Sequence, residues 1–166
     1  MDRRQAQFAI ATLASGLAGP LHAAEPRPLL SVTGRIRRTN DGEGKLFRFS
    51  EQEFLQLPQH TITTATVWTP LSRFEGPKLL DVLKHVDADG SELYMSALND
   101  YTISIPWDDM ERYGVILAHS RNGARMTPST YGPLWLMYPR DQFPEELSGP
   151  MAGAKYIWQV KSIEVR

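Results

Sequence analysis

Short apolar bursts separated by turn residues dominate the chain, and they read mostly as strands. Residues 29–37 begin a strand, the loop 40–44 (Asn-Asp-Gly-Glu-Gly) follows, and 46–49 returns as the second arm of a hairpin. Ser50 and Glu53 have capping-box spacing, so a short helix should start there, with Phe54, Leu55 and Leu57 as its apolar side and Pro58 ending it. The Thr/Ile/Val-rich stretch 61–68 favours a strand. Pro77 suits the first position of a second helix, whose buried side is Leu79, Leu80, Val82, Leu83 and Val86, with a turn at 87–90. Residues 101–105 alternate as a strand, Pro106 opens a helical turn through Met110, and 115–118, 134–138 and 157–165 are further strands. Many short strands, few short helices and no regular βαβ alternation predict an α+β domain with mixed β-sheets.

Size and charge narrow the function classes. With 166 residues, 42% of them hydrophobic, the chain can form one domain with its own core. Domains of this length bury about 68–70% of the unfolded surface. A formal net charge of −1 and no basic patch interleaved with aromatics argue against nucleic acid or an anionic membrane as partner. Arg3 and Arg4, the mildly apolar run 8–17, Gly19-Pro20 and the small pair Ala23-Ala24 follow the order of a secretory signal peptide. The expectation is a signal peptide at 1–23, a mature domain at 24–166 and a periplasmic or secreted location. The apolar run is too short to remain as a membrane span, so no span is expected in the mature chain. No cysteine is present, so neither disulfides nor thiol chemistry are available.

Candidate chemistry is sparse. The histidines His22, His60, His85 and His119 have no metal-binding spacing. His85 reads as a surface residue at a helix C-terminus, favourable to the helix dipole, and His119 sits at a strand end. Asp108, Asp109 and Glu111 fall at a helix start, where carboxylates stabilise the dipole. No nucleophile elbow or glycine-rich phosphate loop is present. Asn99 and Asp100 favour a turn in which the side chains bond their own backbone, with Tyr101 opening the next strand.

Four stretches add a family resemblance: Phe74-Glu75-Gly76-Pro77, Ala97-Leu98-Asn99-Asp100-Tyr101, Asn122-Gly123 and Gly132-Pro133-Leu134-Trp135. Together they resemble the molybdopterin-binding domain of the sulfite-oxidase family, particularly its small stand-alone secreted members. The resemblance implies that fold, molybdopterin as cofactor, and turn-forming or close-packing roles for the glycine-containing stretches. It also implies that Tyr101, in the segment Tyr101-Thr102-Ile103-Ser104-Ile105-Pro106, lines an anion pocket. The metal-ligating cysteine of the family would fall in the strand 63–68, where this chain has Ala65 or Thr66. Alanine cannot ligate, and a threonine hydroxyl poorly replaces the soft sulfur that molybdenum takes in this cofactor. Arg73, Arg121, Arg125, Arg140 and Lys155 are the cations available to an anionic tail, and the large Tyr131 and Trp158 would narrow or fill a cleft.

The expected cofactor- or ligand-binding set is therefore Trp68, Arg73, Asn99, Tyr101, Arg125 and Tyr131. No catalytic residue and no metal ligand is assigned. Three readings stay open: a non-catalytic domain binding a pterin or another small anion, as an accessory to a periplasmic signalling or redox partner; a molybdopterin-dependent oxidoreductase with a non-cysteine ligand; and an interaction domain docking through an exposed 135–140 region.

Overall fold

The computed structural model describes residues 27–166; the expected signal peptide at 1–23 lies outside them. Among the described residues three sheets and five short helices pack on a single core. The largest sheet holds β1 (Leu30–Gly34), β2 (Leu46–Phe49), β5 (Glu92–Ala97), β6 (Thr102–Pro106) and β11 (Val160–Val165), in the order β2-β1-β11-β5-β6. Only β1 and β11 run parallel. Alternation chooses the buried face: Leu30 and Val32, Leu93 and Met95, and Ile163 and Val165 all point into the core.

The expected hairpin is present, with Leu30 opposite Phe49 and Val32 opposite Phe47. Helix α1 (Glu51–Gln56) carries the capping box in full: Ser50 Oγ accepts the Glu53 N–H, and Glu53 accepts the Ser50 N–H. Its inner side is Phe54 with Leu57 following, whereas Leu55 is exposed. Helix α2 (Leu79–His85) buries Leu79, Val82 and Leu83, and Val86 just beyond it.

A second sheet comprises β3 (Gln59–Thr64), β4 (Ser72–Pro77), β8 (Ser120–Arg121) and β9 (Ala124–Arg125), in that order. Here the sequence reading needs correction. The strand expected at 61–68 stops at Thr64, and Pro77 ends β4 rather than opening a helix. Phe74, Glu75 and Gly76 are strand residues, held by β3 on one side and β8 on the other. Their close-packing role is visible at Gly76, where a Cβ would collide with the Leu117 carbonyl. Asn122-Gly123 does make the β8–β9 turn, with both residues at positive φ.

Between these sheets lies the ribbon of β7 (Ile116–Ala118) and β10 (Trp135–Met137), every residue of which is buried. The 135–140 region is thus core, with Trp135, Leu136, Met137 and Tyr138 fully covered, and it cannot be a docking surface. His85 is also corrected. It packs 5.3 Å from the rings of both Phe47 and Phe49. Burial, with Arg38 nearby, holds its pKa below the ordinary value, so it adds no charge to the helix end.

Helix α3 (Asp108–Tyr113) connects β6 to β7, and α4 (Pro144–Leu147) and α5 (Pro150–Ala154) form an arm between β10 and β11. No helix among the described residues is long and apolar enough to cross a membrane.

Candidate functional site

Three loops open a cavity of about 550 Å³ at one end of the sheets. The first follows β3. Thr66 N–H donates to the Thr69 carbonyl at 3.0 Å, closing a turn. Thr66 Oγ1 accepts the N–H groups of Trp68 and Thr69 at 3.1 and 2.9 Å and meets Thr69 Oγ1 at 2.9 Å. This turn presents Trp68, whose ring stands edge-on to Trp158 with centroids 4.7 Å apart.

The second loop is the β5–β6 turn. Asp100 adopts φ 64°, its N–H donates to the Ala97 carbonyl at 3.0 Å, and Asn99 Oδ1 accepts the Tyr101 N–H at 3.1 Å. Side-chain bonding to the local backbone is what the Asn-Asp pair predicts. Tyr101 stands half exposed at the mouth.

The third wall is the arm from Arg140 through α4 and α5 to Trp158. Its lining includes the small residues Ser148, Gly149, Gly153 and Ala154, while Leu147 and Ile157 give it an apolar inner face. Asp141 fastens the arm to the end of β3: its carboxylate accepts the Ala65 N–H at 3.0 Å, and its own N–H donates to Thr64 Oγ1 at 3.3 Å. Arg140 is the one ionic side chain in the lining, and its Nε donates to Ser148 Oγ at 3.1 Å. Tyr156 is buried against this wall, and burial raises its pKa above the ordinary phenol value.

The structure brings Trp68, Asn99 and Tyr101 together around the cavity and places the other three expected residues elsewhere. Arg73 alternates outward from β4 beside the buried Phe74, and faces Glu75 at 3.7 Å and Thr61 Oγ1 at 3.4 Å. Arg125, on β9, is spent on Glu51 at 2.8 Å. Tyr131 lies behind the wall, its ring 4.6 Å from Trp135 and 5.7 Å from Trp158. Trp158 forms a wall of an open cavity instead of filling it.

Two of the other polar candidates are structural. His119 is buried away from the cavity, with Nε2 2.9 Å from Gln59 Oε1 and Nδ1 2.7 Å from Ser120 Oγ. Because the Gln59 amide N–H donates to the Leu57 carbonyl at 2.8 Å, its Oε1 is the acceptor and His119 Nε2 carries the proton. Lys155 is held 2.6 Å from Asp109, whose carboxylate also accepts the Tyr138 hydroxyl at 2.8 Å. Asp109 is thus a buried link between distant segments, beyond the helix-dipole role expected of it. Reasoning from the sequence missed Arg140's place in the lining, Tyr156 and the α4–α5 arm. The small-residue run 148–154 was their visible signal.

The oxidoreductase molybdopterin binding domain model matches residues 44–143, and the chain belongs to this family. Among solved structures, the sulfane dehydrogenase SoxCD from Paracoccus pantotrophus is similar in fold. Its TM-score is 0.59 at 16% identity, covering 82% of this chain and 37% of that chain. This chain therefore spans well under half the length of that relative. Comparison with curated proteins finds no match.

The donor set does not fit a molybdenum-pterin group. The chain has no cysteine, and of Ala65 and Thr66 only Thr66 lines the cavity. Its hydroxyl is already engaged by two backbone N–H groups and a second hydroxyl. Among the described residues no cluster of three His, Cys, Asp or Glu stands ready for a metal.

Proposed function

We propose that the chain is a periplasmic, non-catalytic binding domain for a small ligand, a pterin or an anion. It would use the cleft of its family without the family's metal chemistry. The observation that carries this reading is the open cavity of about 550 Å³, with Thr66, the residue of the Ala65-Thr66 pair that lines it, committed to a backbone turn. That volume lies within the roughly 300–1,000 Å³ common for small-molecule sites, and so does a mainly apolar lining with a few polar groups. Trp68, Tyr101 and Trp158 supply ring faces and edges, and Arg140 supplies one positive charge. The arginine pair, apolar run and small residues at 3–24 support export.

The test is metal analysis and released-pterin fluorescence on protein recovered from the periplasm of a molybdopterin-competent host. The expected result is export with substoichiometric molybdenum. Pterin without metal would agree with a binding role and identify the ligand class. One molybdenum per chain, retained through purification, would overturn the reading in favour of an oxidoreductase with an oxygen ligand. Retention of the chain in the cytoplasm would remove the periplasmic part.

A further inference from the structure

Burial of apolar surface drives folding, so a group of large apolar side chains left together in water marks a place where something binds. Among the described residues seven such side chains stand exposed, and six of them fall on the three segments that wall the cavity. Val67, Trp68 and Leu71 are on the loop after β3, Leu98 and Tyr101 on the β5–β6 turn, and Met151 on α5 of the arm. Three are largely bare: Val67 is 69% exposed, Leu71 66% and Met151 87%. Only Leu55, on α1, lies elsewhere. Val67, Trp68 and Tyr101 also line the cavity, so apolar surface runs from its buried wall at Leu147 and Ile157 out to its rim.

The polar groups of the lining are mostly taken. Thr66 Oγ1 is held in its own turn, and Asn99 Oδ1 accepts the Tyr101 N–H. No carboxylate lines the cavity, and on the same segments Asp100 pairs with Lys161 and Lys155 with Asp109. Arg140 is the exception. It lines the cavity, has no carboxylate partner among the described residues, and is bonded only through Nε, to Ser148 Oγ at 3.1 Å. Its two terminal nitrogens bond to no other residue and, unlike Arg125 Nη1, are not sealed inside the fold. The cavity thus offers one positive charge and an apolar surface that continues past its mouth.

We propose that the cavity binds a single-chain amphiphilic monoanion, an alkyl carboxylate, with its head group on the Arg140 guanidinium and its chain along the lining to the rim at Val67, Leu71, Leu98 and Met151. This rests on the ligand-binding reading of the cavity and names its ligand class. A compact ring lying inside the cavity would leave the rim side chains in water, whereas a flexible chain reaches them. A flat partner surface would cover the rim and leave the cavity and its cation unused. One cation with no acid beside it suits a single negative charge, and guanidinium–carboxylate bonds are roughly twice as strong as neutral ones. Met151, unbranched and polarizable, suits contacts with a chain of no fixed shape.

The experiment is calorimetric titration of protein recovered from the periplasm with hexanoate, octanoate and decanoate, and with octanamide and pterin-6-carboxylate alongside. Each added pair of methylenes should tighten binding about tenfold. Octanoate should bind about tenfold more tightly than octanamide, and Arg140→Gln should remove that advantage. Leu71→Ser combined with Met151→Ser should shrink the ratio of decanoate to hexanoate affinity at an unchanged melting temperature, because both side chains are exposed. Affinity that does not change with chain length, or a chain-length series untouched by the rim variant, would sink the proposal. So would a dimer in light scattering that the rim variant separates, since a second copy would then cover the rim. Binding of pterin-6-carboxylate but of none of the alkyl acids would overturn the ligand class yet leave the ligand-binding reading standing. No binding by any of these compounds would count against both.

Discussion

Thr66 shows how one side chain can close off a chemistry. Its hydroxyl stands at the cavity wall, in the Ala65-Thr66 pair where the family resemblance implies a metal ligand, yet it is spent on the N–H groups of Trp68 and Thr69. The Thr69 N–H is buried, so the oxygen satisfies a donor that would otherwise lose its partner inside the fold. Thr66→Val is expected to destabilise the protein by about 1–3 kcal/mol through donors left unpaired. Thr66→Ser, which keeps the oxygen, should stay close to wild type. Urea midpoints for the two variants check this, and an undisturbed midpoint in Thr66→Val would mean the hydroxyl is dispensable. That the cysteine is missing is plain from the sequence. That the Thr66 hydroxyl is already engaged follows only from the turn it closes with Trp68 and Thr69.

Elements whose bonds are local were legible, and those made by distant partners were not. The α1 capping box and the Asn99-Asp100 turn each close within three residues, and the turn-rich loop between two strand-like stretches was enough to expect the β1–β2 hairpin. By contrast, β4 interleaves Arg73 and Glu75 with Phe74, Gly76 and Pro77, and becomes a strand only because β3 and β8 flank it. Helix α3 carries the clearest case. Asp109 looks like a helix-dipole carboxylate, but its partners Tyr138 and Lys155 lie 29 and 46 residues away. It joins α3 to β10 and to the end of the arm, where Lys155 adjoins Tyr156 in the cavity wall. Lys155 is partly exposed, so removing Asp109 leaves a charge that water can reach and a Tyr138 hydroxyl without its acceptor. Asp109→Ala should therefore cost about 1–3 kcal/mol, and Asp109→Ala with Lys155→Met should recover part of the loss. Thermal denaturation of the single and double variants tests this; a double variant no better than Asp109→Ala would show that the Tyr138 bond, not the ion pair, carries the stability.

At the scale of the whole molecule, the buried and bonded titratable groups combine into one profile of stability against pH. His119 is held below its ordinary pKa by burial first and by Arg125 second, and His85 by burial and Arg38. For such a histidine the unfolded chain takes up its proton near 6.5 while the folded chain does so only at lower pH. The unfolded state then binds more protons in that window, so stability falls as pH drops through it. Glu53, Asp100 and Glu164 are lowered by hydrogen bonds from Ser50, Lys161 and Arg166. Their contribution is present above the ordinary carboxylate range and is lost as pH falls through it toward the folded values, adding a second decline. Tyr138 and Tyr156 act at the other end. Burial keeps both phenols protonated in the fold, so stability declines as pH rises past the ordinary phenol value of 10. The expected profile is a plateau between about pH 7 and 9 that falls on both sides, with two steps on the acid side. Urea midpoints across that range measure it, and His119→Gln should shrink the step that begins below about pH 7, leaving the His85 share, without touching the lower one. A wild-type midpoint constant over that step would mean the histidines do not resist protonation in the fold. Because His119 is buried among Gln59 and Ser120 rather than in the cavity, this step reports what holds the molecule together and is separate from what the cavity binds.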